Sequence, residues 1–285
     1  MSFRFNKMSN KFITKIKPTW CLGCGNFGIH TALQSAFEEL KLEPWQVLMV
    51  YGIGCFGNGS NFLKTNAFHG LHGRPLPVAM GAKLANPSLT VIASSGDGDA
   101  YSEGGNHLLE AIRANIDITL LVHNNGMFSL TTGQASPTTP IGQKTKSTPF
   151  GQYLNPLNPI ALALSQNASF VARGLATDVK HLQGIIFKAL SHKGFSLVDI
   201  IQPCVSFNKE YSAEFWAKHT VKIEKTPETL KEAMDLAMES KKLPIGLFWQ
   251  EKKPTLADKL PDYPNSPLWQ EVKKVNLEKI LQNYH

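Results

Sequence analysis

No stretch of this 285-residue sequence approaches the ~20 consecutive apolar residues that a membrane-crossing helix needs, so no helical span is expected. The basic opening segment also lacks a continuous apolar run and does not read as a signal peptide. It is expected to be a solvated arm, residues 1–19, on a cytoplasmic protein. Cysteine is scarce: Cys21, Cys24, Cys55 and Cys204 are the whole complement of four, and a cytoplasmic location argues against disulfides. A clustered C-x-x-C-x-x-C run is missing, as are internal repeats. Charged residues make up only 18% against 42% apolar ones, a balance foreign to disordered or fibrous chains. The excess of 29 Lys and Arg over 22 Asp and Glu gives +7. These cations are scattered and no helix-turn-helix, zinc-finger or RNP pattern accompanies them, so nucleic acid is not expected as a partner. An ordinary basic enzyme, or one that docks an acidic partner, fits better.

What is present alternates. Short β-branched-rich runs at 47–53, 89–94, 118–123, 169–173 and 195–201 predict strands buried on both faces. Helical spacing falls at 27–40, 106–114, 179–190 and 227–238, the last opening on Thr226-Pro227-Glu228 as cap, proline and first-turn acid. This order predicts an α/β fold with a doubly wound parallel sheet. The 20–207 segment is expected to be the ligand-binding domain, and 208–285 a mostly helical C-terminal extension around one strand at 245–249. Residues 126–159, crowded with Gly, Pro, Ser and Thr, resist any period. A loop of that length in a compact domain is usually functional or disordered.

The most informative stretch is Gly96-Asp97-Gly98-Asp99, directly after a predicted strand, followed by a helix and a second strand that ends in Asn124-Asn125. A carboxylate and a carboxamide at neighbouring strand ends lie on the ligand-binding edge of a parallel sheet. Both are hard oxygen donors of the kind Mg²⁺ takes alongside phosphate oxygens. The glycines let backbone approach a diphosphate, and the helix start adds N–H donors. The competing G-x-G-x-x-G at Gly52 to Gly57 lacks the acid that a dinucleotide site wants about 20 residues on, because 58–96 contains no Asp or Glu. The four cysteines form a C-x-x-C loop plus two positions at distant strand ends. Spacing alone leaves zinc, a 4Fe–4S cluster and plain buried thiols open.

The Gly96-Asp97-Gly98 triplet paired with Asn125 resembles the diphosphate motif of thiamine-diphosphate enzymes. That resemblance implies Asp97 and Asn125 as Mg²⁺ ligands, with the Met127 carbonyl as a third. Further motifs are similar to the β subunit of 2-oxoacid:ferredoxin oxidoreductases: Trp20-Cys21-Leu22-Gly23-Cys24-Gly25, Gly52-Ile53-Gly54-Cys55, His69-Gly70-Leu71-His72-Gly73-Arg74, Gly81-Ala82-Lys83, Leu130-Thr131-Thr132-Gly133 through Ser136-Pro137-Thr138, and His192-Lys193-Gly194. The similarity runs from about Trp20 to Asn208. It implies that Cys21, Cys24, Cys55 and Cys204 ligate one 4Fe–4S cluster. Gly54, Gly96, Gly98, Asp99, Leu130 and Thr131 would line the thiamine-diphosphate site, and His69, His72 and Arg74 would hold a carboxylate or move a proton.

The reaction implied is coenzyme A-dependent oxidative decarboxylation of a 2-oxoacid, with 2-oxoglutarate ahead of pyruvate and ferredoxin as acceptor. An α subunit would supply the pyrimidine-binding domain that this chain has no room for. Alternatives are an aryl-pyruvate enzyme of the same kind and a zinc-stabilised binding module. Asn58, Ala114, Phe128-Ser129 and Thr132 depart from the family pattern and bear on substrate identity.

Overall fold

The computed structural model describes residues 10–239, 241–261, 263–264 and 266–270. Among these residues ten strands form: β1 (Val47–Tyr51), β2 (Asn66–His69), β3 (Thr90–Gly96), β4 (Thr119–Asn124), β5 (Met127–Phe128), β6 (Gln134–Ala135), β7 (Phe170–Leu175), β8 (Ser196–Ile201), β9 (Thr220–Lys222) and β10 (Leu243–Gln250). The helices are α1 (Asn26–Glu39), α2 (Gly59–Phe62), α3 (Pro75–Ala85), α4 (Gly105–Ala114), α5 (Pro159–Ser165), α6 (Val179–Ser191), α7 (Ala213–His219), α8 (Leu230–Ala237) and α9 (Leu256–Lys259). Eight strands make one sheet in the order β2-β1-β3-β4-β8-β7-β10-β9. Every pairing in it is parallel except β10 against β7. The C-terminal ends of β1, β3, β4, β8 and β7 therefore share one edge.

The apolar runs are continuous because both faces are covered. Val47, Met49, Tyr51, Ile92, Leu121 and Val198 pack with Ile29, Leu33, Phe37, Leu182 and Ile186 of α1 and α6. Val50, Val91, Ala93, Leu120, Val122 and Leu197 pack on the other face with Leu76, Leu108, Ile112, Ile160 and Ala233 from α3, α4, α5 and α8. Alternate side chains of each strand thus enter different cores, as the two-residue period requires. No helix among the described residues is long and apolar enough to cross a membrane.

Several expectations need correction. The solvated arm lies outside the described residues over 1–9, but beyond them Phe12 is fully buried and packs at a tilt against Phe37, ring centroids 5.0 Å apart, and Ile13 bridges to Leu63. The helix expected from Thr226 begins at Leu230, because Thr229, not Thr226, accepts the capping hydrogen bond from Glu232 N. The segment after Asn208 contributes two strands to the main sheet as well as its helices. The elements β2, β5, β6, β9, α2, α3 and α5 had no sequence forecast. Helix α3 opens on Pro75 and carries Gly81, and both blur its period.

Candidate active site

The sheet edge opens into a cleft of about 480 Å³ whose wall includes Gly54, Cys55, His72, Gly96, Asp97, Gly98, Asp99, Asn125, Met127, Leu130, Thr131 and Gln202. Strand β3 delivers Gly96 and Asp97, and β4 delivers Asn125 one residue past its end. Asp97 is 1% exposed. Its Oδ2 accepts from Ser136 Oγ at 2.5 Å and Thr138 Oγ1 at 2.7 Å, both neutral hydroxyls. No cation faces it within ion-pair distance among the described residues. Burial outweighs these hydrogen bonds and pushes the carboxyl up to about 6. A buried carboxylate without a counter-charge is costly, and this one fits a divalent cation at the cleft wall. The Asn125 backbone N–H also reaches this carboxylate, while its Oδ1 accepts from Met127 N and Ser129 Oγ. The glycine cradle is tight: a Cβ on Gly98 would meet the Phe128 ring at 2.2 Å, and one on Gly54 the Phe56 ring at 2.3 Å.

Asp99 has a different job from Asp97. Its Oδ1 accepts from Gly73 N at 2.7 Å and Ile53 N at 3.2 Å, and its Oδ2 accepts from Ser95 Oγ at 2.5 Å. It ties the turn after β1 and the histidine loop to β3. A Cβ on Gly52 would stand 1.8 Å from Asp99 Oδ2, so this turn needs glycine for close approach. Of the three proposed acid–base residues only His72 lines the cleft. Its Nδ1 sits 3.3 Å from both Asp99 Oδ1 and Glu103 Oε2. His69 ends the exposed edge strand with its ring over Gly57, and Arg74 reaches outward to the Glu103 carbonyl at 3.2 Å.

The unpatterned 126–159 segment folds onto this site. Besides Ser136 and Thr138, it is anchored by Thr139 Oγ1 donating to Gly126 O at 2.6 Å and by Gln143 Nε2 donating to Asn208 Oδ1 at 2.8 Å. Leu130, half-exposed, and Thr131 stand at its cleft-side turn, closed by the β5–β6 pair. Thr132 there has φ 79°, a left-handed conformation rare for a β-branched residue. Lys146 Nζ donates to its hydroxyl at 2.6 Å, so an ammonium stands at this departure from the family pattern.

The four cysteines converge beside the cleft. Their thiols interact electrostatically with one another, and burial together with this mutual repulsion pushes Cys55 up to about 11 and Cys24 upward. All four are free thiols. Among the described residues no group of three cysteine, histidine or carboxylate side chains is arranged to hold a metal ion. Four thiols drawn to one place are the donor set that a soft metal ion or an iron–sulfur cluster takes. Gly23 with φ 82° turns the C-x-x-C loop, and Cys24 N donates to Cys21 O at 2.9 Å.

Sequence reasoning assigned no role to Ser136, Thr138, His123 or Gln202. The Ser136-Pro137-Thr138 run was visible as part of a motif. His123 is buried and held neutral, pushed down to about 3 by burial; its Nδ1 lies 2.8 Å from Asn26 Oδ1, and it stacks on Phe56. A histidine inside an apolar strand gives no sign of these contacts.

Comparison with known proteins agrees with this geometry. Residues 47–200 match the family of thiamine pyrophosphate enzymes, C-terminal TPP binding domain, and residues 204–265 match the family of C-terminal segments from the beta chain of pyruvate ferredoxin oxidoreductase. The chain is 44% identical to a 2-oxoacid:ferredoxin oxidoreductase subunit beta of Saccharolobus solfataricus, over 87% of this chain and 88% of that one. It is 42% identical to the 2-oxoglutarate synthase subunit KorB of Archaeoglobus fulgidus, over 67% and 72%. A 2-oxoglutarate:ferredoxin oxidoreductase from Magnetococcus marinus, solved with 2-oxoglutarate, coenzyme A and succinyl-CoA bound, superposes with a TM-score of 0.88 at 32% identity, covering 99% of this chain and 98% of that one. With a thiamine-enzyme cleft, four converging cysteines and these relatives, the chain belongs to the β subunits of the 2-oxoacid:ferredoxin oxidoreductases, oxidoreductases in which this subunit works with a partner.

Proposed function

We propose that this subunit, in the cytoplasm, holds the diphosphate end of thiamine diphosphate next to a 4Fe–4S cluster, and so couples coenzyme A-dependent decarboxylation of a 2-oxoacid to reduction of ferredoxin. The observation that carries this reading is that Cys55 lines the same cleft as Asp97, Asn125 and Met127. A group held by the thiols and a group held by the carboxylate and carboxamide are therefore neighbours. Asp97, Asn125 and the Met127 carbonyl would hold Mg²⁺, a hard cation suited to such oxygens. The backbone around Gly54, Gly96, Gly98 and Asp99 would take the diphosphate, with Leu130 and Thr131 against the rest of the cofactor. When bound, thiamine diphosphate supplies the electron sink that decarboxylation needs.

The chain's own residues orient and exclude. Ser136 and Thr138 fix the Asp97 carboxylate, and Phe56 and Phe128 press on the glycines and keep water out of the cradle. His72 Nδ1, poised between Asp99 and Glu103, would hold a proton at the cleft wall or take the substrate carboxylate; His69 and Arg74 would serve at the rim. An α subunit would close the other side. The 2-oxoglutarate-named relatives and the ligands of the Magnetococcus enzyme support 2-oxoglutarate ahead of pyruvate, with a succinyl thioester as product.

The test is anaerobic purification with the co-expressed α subunit, metal and sulfide analysis, and an EPR spectrum after 2-oxoglutarate and coenzyme A are added. About four irons per chain, the content of one such cluster, with a substrate-dependent signal supports the full reading. Iron with a signal only from pyruvate moves the substrate. Zinc without iron would sink the redox reading.

A further inference from the structure

Gln202 stands between the two halves of the site. It follows β8 directly, is 3% exposed, and is fixed by its own N–H donating to Asn124 O at 2.8 Å. Its side chain lines the cofactor cleft, while its Nε2 lies 3.5 Å from Cys24 Sγ as donor. The neighbouring loop is shaped around it. Gly25 N donates to Pro203 O at 3.2 Å, and a Cβ on Gly25 would meet Gln202 Cγ at 2.6 Å. A second donor, Ser206 Oγ, reaches Cys21 Sγ at 3.0 Å from the same post-β8 turn. The amide thus sits buried in the cleft wall one residue past the end of β8, with its N–H on the Cys24 sulfur.

We propose that Gln202 sets the reduction potential of the cluster held by the four cysteines, through its N–H···S hydrogen bond to Cys24; this rests on the cluster reading above. Adding an electron to such a cluster increases the negative charge shared by its thiolate sulfurs. A donor aimed at one of those sulfurs stabilises the reduced form more than the oxidised one, and so raises the potential. Gln202 is a positioning residue in this scheme, acting on Cys24 rather than on substrate.

The experiment is an anaerobic potentiometric titration, followed by EPR, of the αβ holoenzyme carrying Gln202→Met or Gln202→Glu. Methionine keeps the linear shape and removes the donor; glutamate removes the donor and adds negative charge. Both are expected to retain iron and to make the midpoint more negative, glutamate further than methionine. The shift in the reduction equilibrium should be up to tenfold for methionine, which for one electron is about 59 mV. An iron-loaded Gln202→Met enzyme with an unchanged midpoint overturns the proposal. A measurement on the unaltered sequence guards against variants that fail to fold: with glutamine labelled by ¹⁵N, the reduced cluster should show a nitrogen hyperfine coupling that the label changes, and its absence equally refutes the hydrogen bond. Unaltered protein that carries no iron would remove the cluster reading itself, a result distinct from an iron-loaded protein whose potential ignores position 202.

Discussion

Asp97 shows how far one side chain can be committed to a missing charge. Its carboxylate is buried, has two hydroxyl donors and faces no cation among the described residues, so the hydroxyls matter more than such groups usually do. Hydrogen bonds to charged groups contribute about 1.5–3 kcal/mol. Thr138→Val is therefore expected to weaken Mg²⁺-dependent thiamine-diphosphate binding by roughly tenfold or more, with Thr138→Ser close to the original. Isothermal titration calorimetry reads this directly, and equal affinities for all three proteins would refute it. His30 makes a separate, pH-dependent point. Burial against Trp20 and Gln34 pushes it down to about 4, against 6.5 in the unfolded chain. The unfolded chain takes up this proton first as pH falls, so stability from His30 is complete above 6.5 and is lost as pH drops from 6.5 towards 4, by roughly 3 kcal/mol in all. His30→Gln should flatten the stability–pH curve over that window in urea denaturation; a curve of unchanged slope would argue against it.

Among the elements, the turn after β1, the histidine loop and the end of β3 meet at one carboxylate, Asp99. Asp99→Ala strands the N–H groups of Ile53 and Gly73, at about 1–3 kcal/mol each. The variant should lose roughly 2–6 kcal/mol in denaturant unfolding, and a loss under about 1 kcal/mol would mean that water replaces the carboxylate. The same region shows what the sequence could and could not convey. Strands β1, β3, β4, β7 and β8 were legible because burial on both faces writes an uninterrupted β-branched run. Asp97 and Asn125 were legible because the glycine triplet and the strand-terminal Asn-Asn keep a fixed order around one helix. The strand β2 was not, since all four of its residues are exposed at a sheet edge and carry no apolar pattern. The division of labour between Asp97 and Asp99 was equally hidden, because it depends on which N–H groups the chain brings back from Ile53 and Gly73. The 126–159 loop read as functional from its composition, but nothing local says that Ser136 and Thr138 point at a residue 39 and 41 positions away.

At the scale of the whole molecule, a buried ion pair joins neighbouring strands: Arg173 of β7 and Asp199 of β8 stand 3.1 Å apart. Asp199 Oδ1 also accepts from Tyr101 OH and Asn124 Nδ2, both at 3.0 Å. Removing one partner of a buried pair costs about 3–5 kcal/mol, whereas an apolar pair of similar volume can be tolerated. Asp199→Ala should fall in that range, and Arg173→Met with Asp199→Leu should recover part of the loss. Additive losses in the double variant would deny that the pair acts as a unit. Asn124 Oδ1 and Asp97 Oδ2 share the single Thr138 hydroxyl hydrogen, at 2.9 and 2.7 Å, so the sheet interior and the proposed cation site are mechanically continuous. The loop that closes this chain carries Phe150, Tyr153 and Leu154 exposed on its outer side, a surface suited to another subunit. On the function proposed above, one end of the loop would answer to an ion and the other to a protein. Reciprocity then applies: whatever factor the ion adds to subunit affinity, the partner adds to ion affinity. Loading and assembly of this enzyme would then be two readings of a single equilibrium, and a dilute, magnesium-starved preparation should lose both together.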